Sequence, residues 1–245
     1  MNNEHIVRSY DSDLNHLNDL IARMGGLAEK QLADAVQSVY KRDVELAKNT
    51  VENDARIDEL EIEIDELVVR MLALRQPLAD DLREVIAALK ISSDLERVGD
   101  YAANIAKRVS ALSQVPLVKP AHVIPRMGAL AQAQIRRVLD AYTQRDADKA
   151  VEVRNADEEV DEMYTSLFRE LLTYMMEDPR HISACTHLLF VAKNIERIGD
   201  HATNIAEYVY YLVHGTSLAE ERPKGDTSTM VVSRPTRADG KENGA

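Results

Sequence analysis

Residues 94–107 read DLERVGDYAANIAK and residues 194–207 read NIERIGDHATNIAE, so eight of fourteen positions recur at an offset of 100. A duplication of this kind constrains the fold more than any single motif does. Each copy has to form the same local unit, and the units then have to stack. A weaker echo lies upstream. Asp43, Ala47, Asp54, Asp58 and Glu59 return as Asp146, Ala150, Asp157, Asp161 and Glu162 at an offset of 103. The order within each half is the same, so the halves read as copies of one three-helix unit.

The helices follow from the apolar spacing, which is three or four residues almost throughout. The first stripe runs Ile6, Tyr10, Leu14, Leu17, Ile21, Met24, Leu32, Val36 and Val39. A second opens at Asp43, a good N-cap residue, and carries Ala47, Val51, Ile57, Leu60, Ile64, Leu67 and Met71 before the break at Pro77. A third opens at Asp80 or Asp81, where Asp81 and Glu84 have capping-box spacing. It carries Leu82, Val85, Leu89, Leu95, Val98, Ala102, Ile105 and Val109. Residues 113–125, SQVPLVKPAHVIP, hold three prolines and read as a linker and helix start. Three more helices follow. One carries Met127, Leu130, Ile135, Val138 and Tyr142, one opens at Asp146, and one opens at Asp178-Pro179. The expected fold is all-α: a tandem repeat of two antiparallel three-helix bundles built from six long helices. Residues 1–114 would form the first bundle and 115–214 the second. From Gly215 the chain turns polar, and 215–245 is expected to be a disordered tail.

Charge narrows the function. The 245 residues include 42 acidic and 30 basic ones, a formal net charge of -12. Such a surface repels phosphodiester backbones and anionic lipid and suits divalent cations, so no nucleic-acid partner is expected. Cys185 is the one cysteine, which excludes an internal disulfide and a multi-cysteine zinc site. In an apolar helix it reads as a small core residue. No run of 18 apolar residues occurs and the first residues contain no apolar signal core, so the chain is expected to be soluble, cytoplasmic and not inserted in a membrane.

Retention of apolar positions between the copies is explained by packing. Retention of Glu96/Glu196, Asp100/Asp200 and Asn104/Asn204 is not. These stand at i, i+4 and i+8 on one helix face. Two carboxylates at i, i+4 repel by a few tenths of a kcal/mol when exposed. Asp54/Asp58 and Asp157/Asp161 repeat the pattern on the preceding helix, so each half would gather four carboxylates. Hard oxygen donors at that density suit divalent or trivalent metal ions. A solvated, salt-bridged face, with Arg97 and Arg197 alongside, explains the same spacing. Glu61 and Asp65 make a further pair, but their counterparts are Tyr164 and Phe168, so they belong to a solvated face or serve the first site only. Gly99 and Gly199 recur inside predicted helices, where Gly costs about 1 kcal/mol relative to Ala. Close approach of a neighbouring helix or of a ligand to the backbone accounts for them.

The motifs ERVGDYAANIA and ERIGDHATNIA, with HIVRSYDSDL near the start, resemble the PhoU family of phosphate-transport accessory and regulatory proteins. The resemblance spans roughly His5 to His214. It implies two three-helix bundles with multinuclear metal clusters on their surface, of iron, zinc, manganese or magnesium. By motif, Asp54, Asp58, Glu96 and Asp100 would hold one cluster, and Asp157, Asp161, Glu196 and Asp200 the other. Asp94, Asn104 and Asn204 would be accessory. The change of Asp94 to Asn194 departs from the repeat and puts equal metal content in question. The resemblance further implies a homodimeric, non-enzymatic adaptor, peripheral to the inner membrane through its partners. Those partners would be the ATPase subunit of the phosphate transporter and a phosphate-sensing histidine kinase, and the effect would be to restrain uptake and the starvation response. Two other readings share the fold. A ferritin-like metalloenzyme would need Glu-x-x-His pairs, which the sites lack. A metal-free structural adaptor would need none of the carboxylates as ligands.

Overall fold

The computed structural model describes residues 2–218 and, among them, no strand. Eight α-helices occur: α1 (Asn2–Lys41), α2 (Val44–Glu52), α3 (Ala55–Arg75), α4 (Asp80–Lys107), α5 (Val109–Leu112), α6 (Ile124–Gln144), α7 (Ala147–Glu177) and α8 (Ile182–His214). Helices α1, α3 and α4 pack as one bundle, with α2 across α1 and α4, and α6, α7 and α8 as the other. The bundles meet along α4 and α8 and along α1 and α6, and their buried side chains form one continuous core. Leu95 and Ile195, at matching places in the repeat, are both fully buried. Each contributes roughly 1.5–3 kcal/mol relative to exposure. Cys185 is fully buried, as a core residue.

The repeat is visible in caps as well as stripes. Arg42 and Arg145 both adopt left-handed backbone, with φ of 56° and 52°, and end α1 and α6. Asp43 and Asp146 then cap α2 and α7, each accepting a backbone N–H at 2.9 Å. Asp146→Ala is expected to cost about 1 kcal/mol of stability. Urea unfolding would read it, and an unchanged midpoint would mean that water replaces the cap.

The two crossings are reciprocal. A Cβ on Gly25 of α1 would stand 2.6 Å from Leu139 of α6, and one on Gly128 of α6 would stand 2.6 Å from Val36 of α1. Gly25/Gly128 and Val36/Leu139 are both pairs at the offset of 103. Each half therefore offers a glycine and, at a matching position, a branched side chain to the other, the near-reciprocal contact of a pseudo-twofold.

Several sequence expectations are corrected. The second predicted helix is two, α2 and α3, broken at Asn53 and Asp54, whereas its counterpart α7 is unbroken. Asn49, Thr50 and Asn53 stand where α7 has Glu152, Val153 and Ala156. Short polar side chains compete with the helix backbone, and Thr50 Oγ1 bonds Leu46 O at 2.7 Å. The capping box at the start of α4 does not form. Glu84 is buried and accepts from Asn18 Nδ2 at 3.2 Å and from Arg145, joining the two halves instead. Leu82, in the first turn of α4, is 39% exposed rather than in the core. Asp178 caps a single 3-10 turn, Pro179–His181, and α8 begins after it. The proline-rich connection is docked: Val118, Pro120 and Ala121 are buried and Arg42 donates to Leu112 O and Val115 O. Gly215, with φ 70°, closes α8 by a bond to Tyr211 O. The expected tail from 219 onward lies outside the described residues.

Candidate metal centres on paired helices

The first carboxylate cluster lies between the start of α3 and the middle of α4. Asp54, at the α2–α3 break, turns its carboxylate onto α4, because residue 99 is glycine. A Cβ there would stand 3.1 Å from Asp54 Oδ1 and 2.9 Å from Ile57 Cδ1. Gln31 of α1 completes this corner, its Nε2 bonding Asp54 Oδ1 at 2.7 Å and Gly99 O at 3.2 Å. The second cluster repeats the construction on α7 and α8. A Cβ on Gly199 would stand 2.5 Å from Asp157 Oδ1, and Gln134 Nε2 bonds the same oxygen at 3.3 Å. Close approach of a neighbouring helix to the backbone thus explains both mid-helix glycines: a carboxylate oxygen comes nearest at Gly199, and Ile57 followed by a carboxylate oxygen at Gly99.

Gln31 and Gln134 were missed by the sequence reading. They stand at the offset of 103 that relates Asp54 to Asp157, so extending the repeat upstream into α1 and α6 would have found them. Their roles are the same: a neutral amide donor holds one carboxylate without neutralising it.

The electrostatics follow the same grouping. Burial raises Asp54 above the usual carboxylate range, and Asp58 and Asp100 raise it further. Glu96 is pushed up to about 7, first by burial, then by Asp100, with Glu61 and Asp58 adding to it and Arg97 opposing. Glu61 is itself raised by burial, Asp65, Asp58 and Asp100, so it joins the first cluster. Glu196 is likewise pushed up to about 7, first by burial, with Asp200 and Asp161 raising it and Lys193 opposing. Asp157, Asp161 and Glu196 are buried, at 0%, 3% and 4% exposure, whereas Asp58 is exposed. The second cluster is the deeper one.

Asp54, at the α2–α3 break, and Asp58 of α3 thus lie along Glu96 and Asp100 of α4, and Asp157 and Asp161 of α7 lie along Glu196 and Asp200 of α8. The donor set is hard oxygen, the chemistry of Mg, Ca, Mn and Fe sites. Glu196 Oε2 is buried and has no hydrogen-bond partner among the described residues, which leaves one donor atom facing acid neighbours. As the side chains are oriented, no three His, Cys, Asp or Glu residues among those described stand close enough to hold an ion. The donor chemistry suits a metal ion, whereas the side-chain positions do not yet converge on one: closing the donors around an ion requires rotation of carboxylates on fixed helices.

Asp94 and Asn204 are placed elsewhere. Two residues turn a helix by roughly 200°, so Asp94 points away from Glu96. It accepts from His201 Nδ1 and, at 3.2 Å, from Asn204 Nδ2, across the contact between α4 and α8. Tyr101 lies beside His201, ring centroids 5.5 Å apart, and Arg197 stacks 5.6 Å from the Tyr101 ring. These residues form the polar seam between the halves. Asn104 accepts from Lys107 Nζ at 3.3 Å.

Comparison with known proteins agrees with this architecture. The PhoU domain family profile matches residues 21–109 and again 124–209. A Caulobacter vibrioides protein named phosphate-specific transport system accessory protein PhoU homolog is 54% identical over 224 residues, covering 91% of this chain and 97% of its own. A Rhizobium meliloti protein of the same name is 50% identical, covering 94% and 98%. The crystal structure of PhoU from Pseudomonas aeruginosa superposes with a TM-score of 0.82 at 42% identity, covering 84% of this chain and all of that one. Two copies of the family domain, high identity along nearly the whole chain and the same helical arrangement lead to one conclusion: this chain belongs to the PhoU family.

Proposed function

We propose that this protein is a regulatory adaptor of phosphate homeostasis, without catalytic activity of its own. It would restrain high-affinity uptake by binding the ATPase subunit of the phosphate transporter, and restrain the starvation response by binding the phosphate-sensing kinase. The observation that carries the role is identity of 50–54% to proteins named as accessory to the phosphate-specific transport system. No described helix is long and apolar enough to cross a membrane, which fits action through partners from the cytoplasm. A homodimer remains part of the reading.

The carboxylate clusters are proposed as metal centres. Asp54, Asp58, Glu96 and Asp100 would hold one cluster, and Asp157, Asp161, Glu196 and Asp200 the other. Bound metal would supply further positive charge to acids that Arg97 and Lys193 only partly balance. The chain's own contribution is rigid placement: Gly99 and Gly199 let Asp54 and Asp157 lie against α4 and α8, and Gln31 and Gln134 hold them there. With the acids neutralised, the outer faces of α3/α4 and α7/α8 keep one shape for a partner.

Elemental analysis of the purified full chain beside Asp100→Ala/Asp200→Ala tests the metal reading. Several ions per chain, lost in the double variant with the helical content unchanged, are expected. No metal in either protein after reconstitution would return the clusters to packing and docking roles. Binding of the purified chain to the transporter ATPase subunit and to the kinase tests the adaptor role. Absence of binding to both at about 100 μM, close to −5.5 kcal/mol, would sink it.

A further inference from the structure

The two clusters match in their carboxylates and differ in what stands beside them. Across the offset of 100, the first half has Ser93 where the second has Lys193; across the offset of 103, it has Glu61 where the second has Tyr164. Both exchanges move charge in the same direction. Ser93 is exposed, and Glu61 adds a further acid to the first cluster. In the second, Lys193 Nζ bonds Glu196 Oε1 at 2.7 Å and lies 4.9 Å from the centre of the Tyr164 ring. An aromatic face attracts an ammonium group, so the lysine is held from both sides.

The first cluster has a cation too, held differently. Arg97 stands 3.5 Å from Glu96 and 3.2 Å from Asp100, with 55% of its side chain exposed, against 33% for Lys193. An exposed arginine swings into water at little cost. Its counterpart Arg197 has already turned away, stacking on Tyr101. Glu196 keeps one oxygen on Lys193 and one, buried, without a partner among the described residues. That second oxygen points to a ligand still to be met, on a side chain 5% exposed.

We propose that Lys193 is a built-in counter-cation of the second cluster, so that the first cluster takes divalent metal first and the second fills only as Lys193 is displaced. This rests on reading both clusters as metal sites. The halves would then report different metal levels, although their carboxylates are the same. Ser93 and Glu61 would make the first a high-affinity, permanently loaded site. Lys193 and Tyr164 would make the second a weaker one that empties and refills.

Titration of the chelator-treated full chain with Mn2+ alone, followed by calorimetry, tests the idea. Two separated binding phases are expected. Asp100→Ala should remove the tight phase and Asp200→Ala the weak one. Lys193→Met should tighten the weak phase by about ten-fold or more and leave the tight phase in place. Lys193→Arg, which keeps the charge, should leave the weak phase weak. If Lys193→Met does not fold, Lys193→Gln serves, with the same expectation. Equal phases in the unmodified chain, or a weak phase that Lys193→Met leaves unmoved, overturns the proposal while the metal reading stands. No Mn2+ uptake by any of these proteins overturns both.

Discussion

Gly199→Ala is expected to destabilise the chain by about 2–3 kcal/mol, the cost of overpacking a close-fitted site. The ordinary effect of Gly→Ala inside a helix is the reverse, a gain of about 1 kcal/mol. The sign is therefore diagnostic. A methyl group at residue 199 would stand 2.5 Å from Asp157 Oδ1 and 3.1 Å from Gln134 Oε1. Asp157 is fully buried, so its carboxylate cannot escape into water. Gly99→Ala should cost less, because Asp54 is only half-buried and the nearest atom is the flexible end of Ile57, 2.9 Å away. Urea unfolding of both variants under chelation separates the cases. A stabilised Gly199→Ala protein would show that the helices part easily and that the glycines do not set the position of the carboxylates.

The metal-free chain is expected to lose stability as pH rises from about 5 to about 7.5. Glu96 and Glu196 are both pushed up to about 7 in the folded state, from 4.5. Between those values the folded chain holds protons that the unfolded chain has released. Stability therefore falls as pH rises through the window and levels off above it. For Glu196, whose side chain is 5% exposed, the loss is about 3 kcal/mol. Glu96 adds in the same direction, reduced by its contact with solvent. Chelated protein unfolded by urea across this range would show the slope, and Glu196→Gln should flatten it. A divalent cation bound to the ionised acids should oppose the loss within the same window. A flat profile in the unmodified chain would mean that Lys193 and its neighbours already compensate the charge.

Much of this architecture was legible because helices announce themselves through spacing. The stripes of α4 and α8, the caps Asp43 and Asp146, and the copied Glu96/Asp100 and Glu196/Asp200 follow from periodicity and offset. The same arithmetic, carried one helix further upstream, would have reached Gln31/Gln134 and Gly25/Gly128. Local competition was harder to read. The break falls at Asn53 and Asp54, in a stretch of short polar residues with low helix propensity that α7 replaces at Glu152, Val153 and Ala156.

The helices and the acids they carry follow from residues near one another along the chain, and the duplication from matching stretches a fixed offset apart. Which acids face each other, and how deeply they are buried, was set by the packing of the folded chain. It placed Asp94 against His201 rather than beside Glu96, and drew Glu84 away from its helix cap to Asn18 and Arg145. It also set Lys193 between Glu196 and Tyr164, where the first half has no cation of the same kind. These outcomes turn on the rotation of one helix against another. That rotation is set by the packing of whole faces, at contacts such as Gly25 on Leu139 and Gly128 on Val36, and no short stretch of sequence contains it.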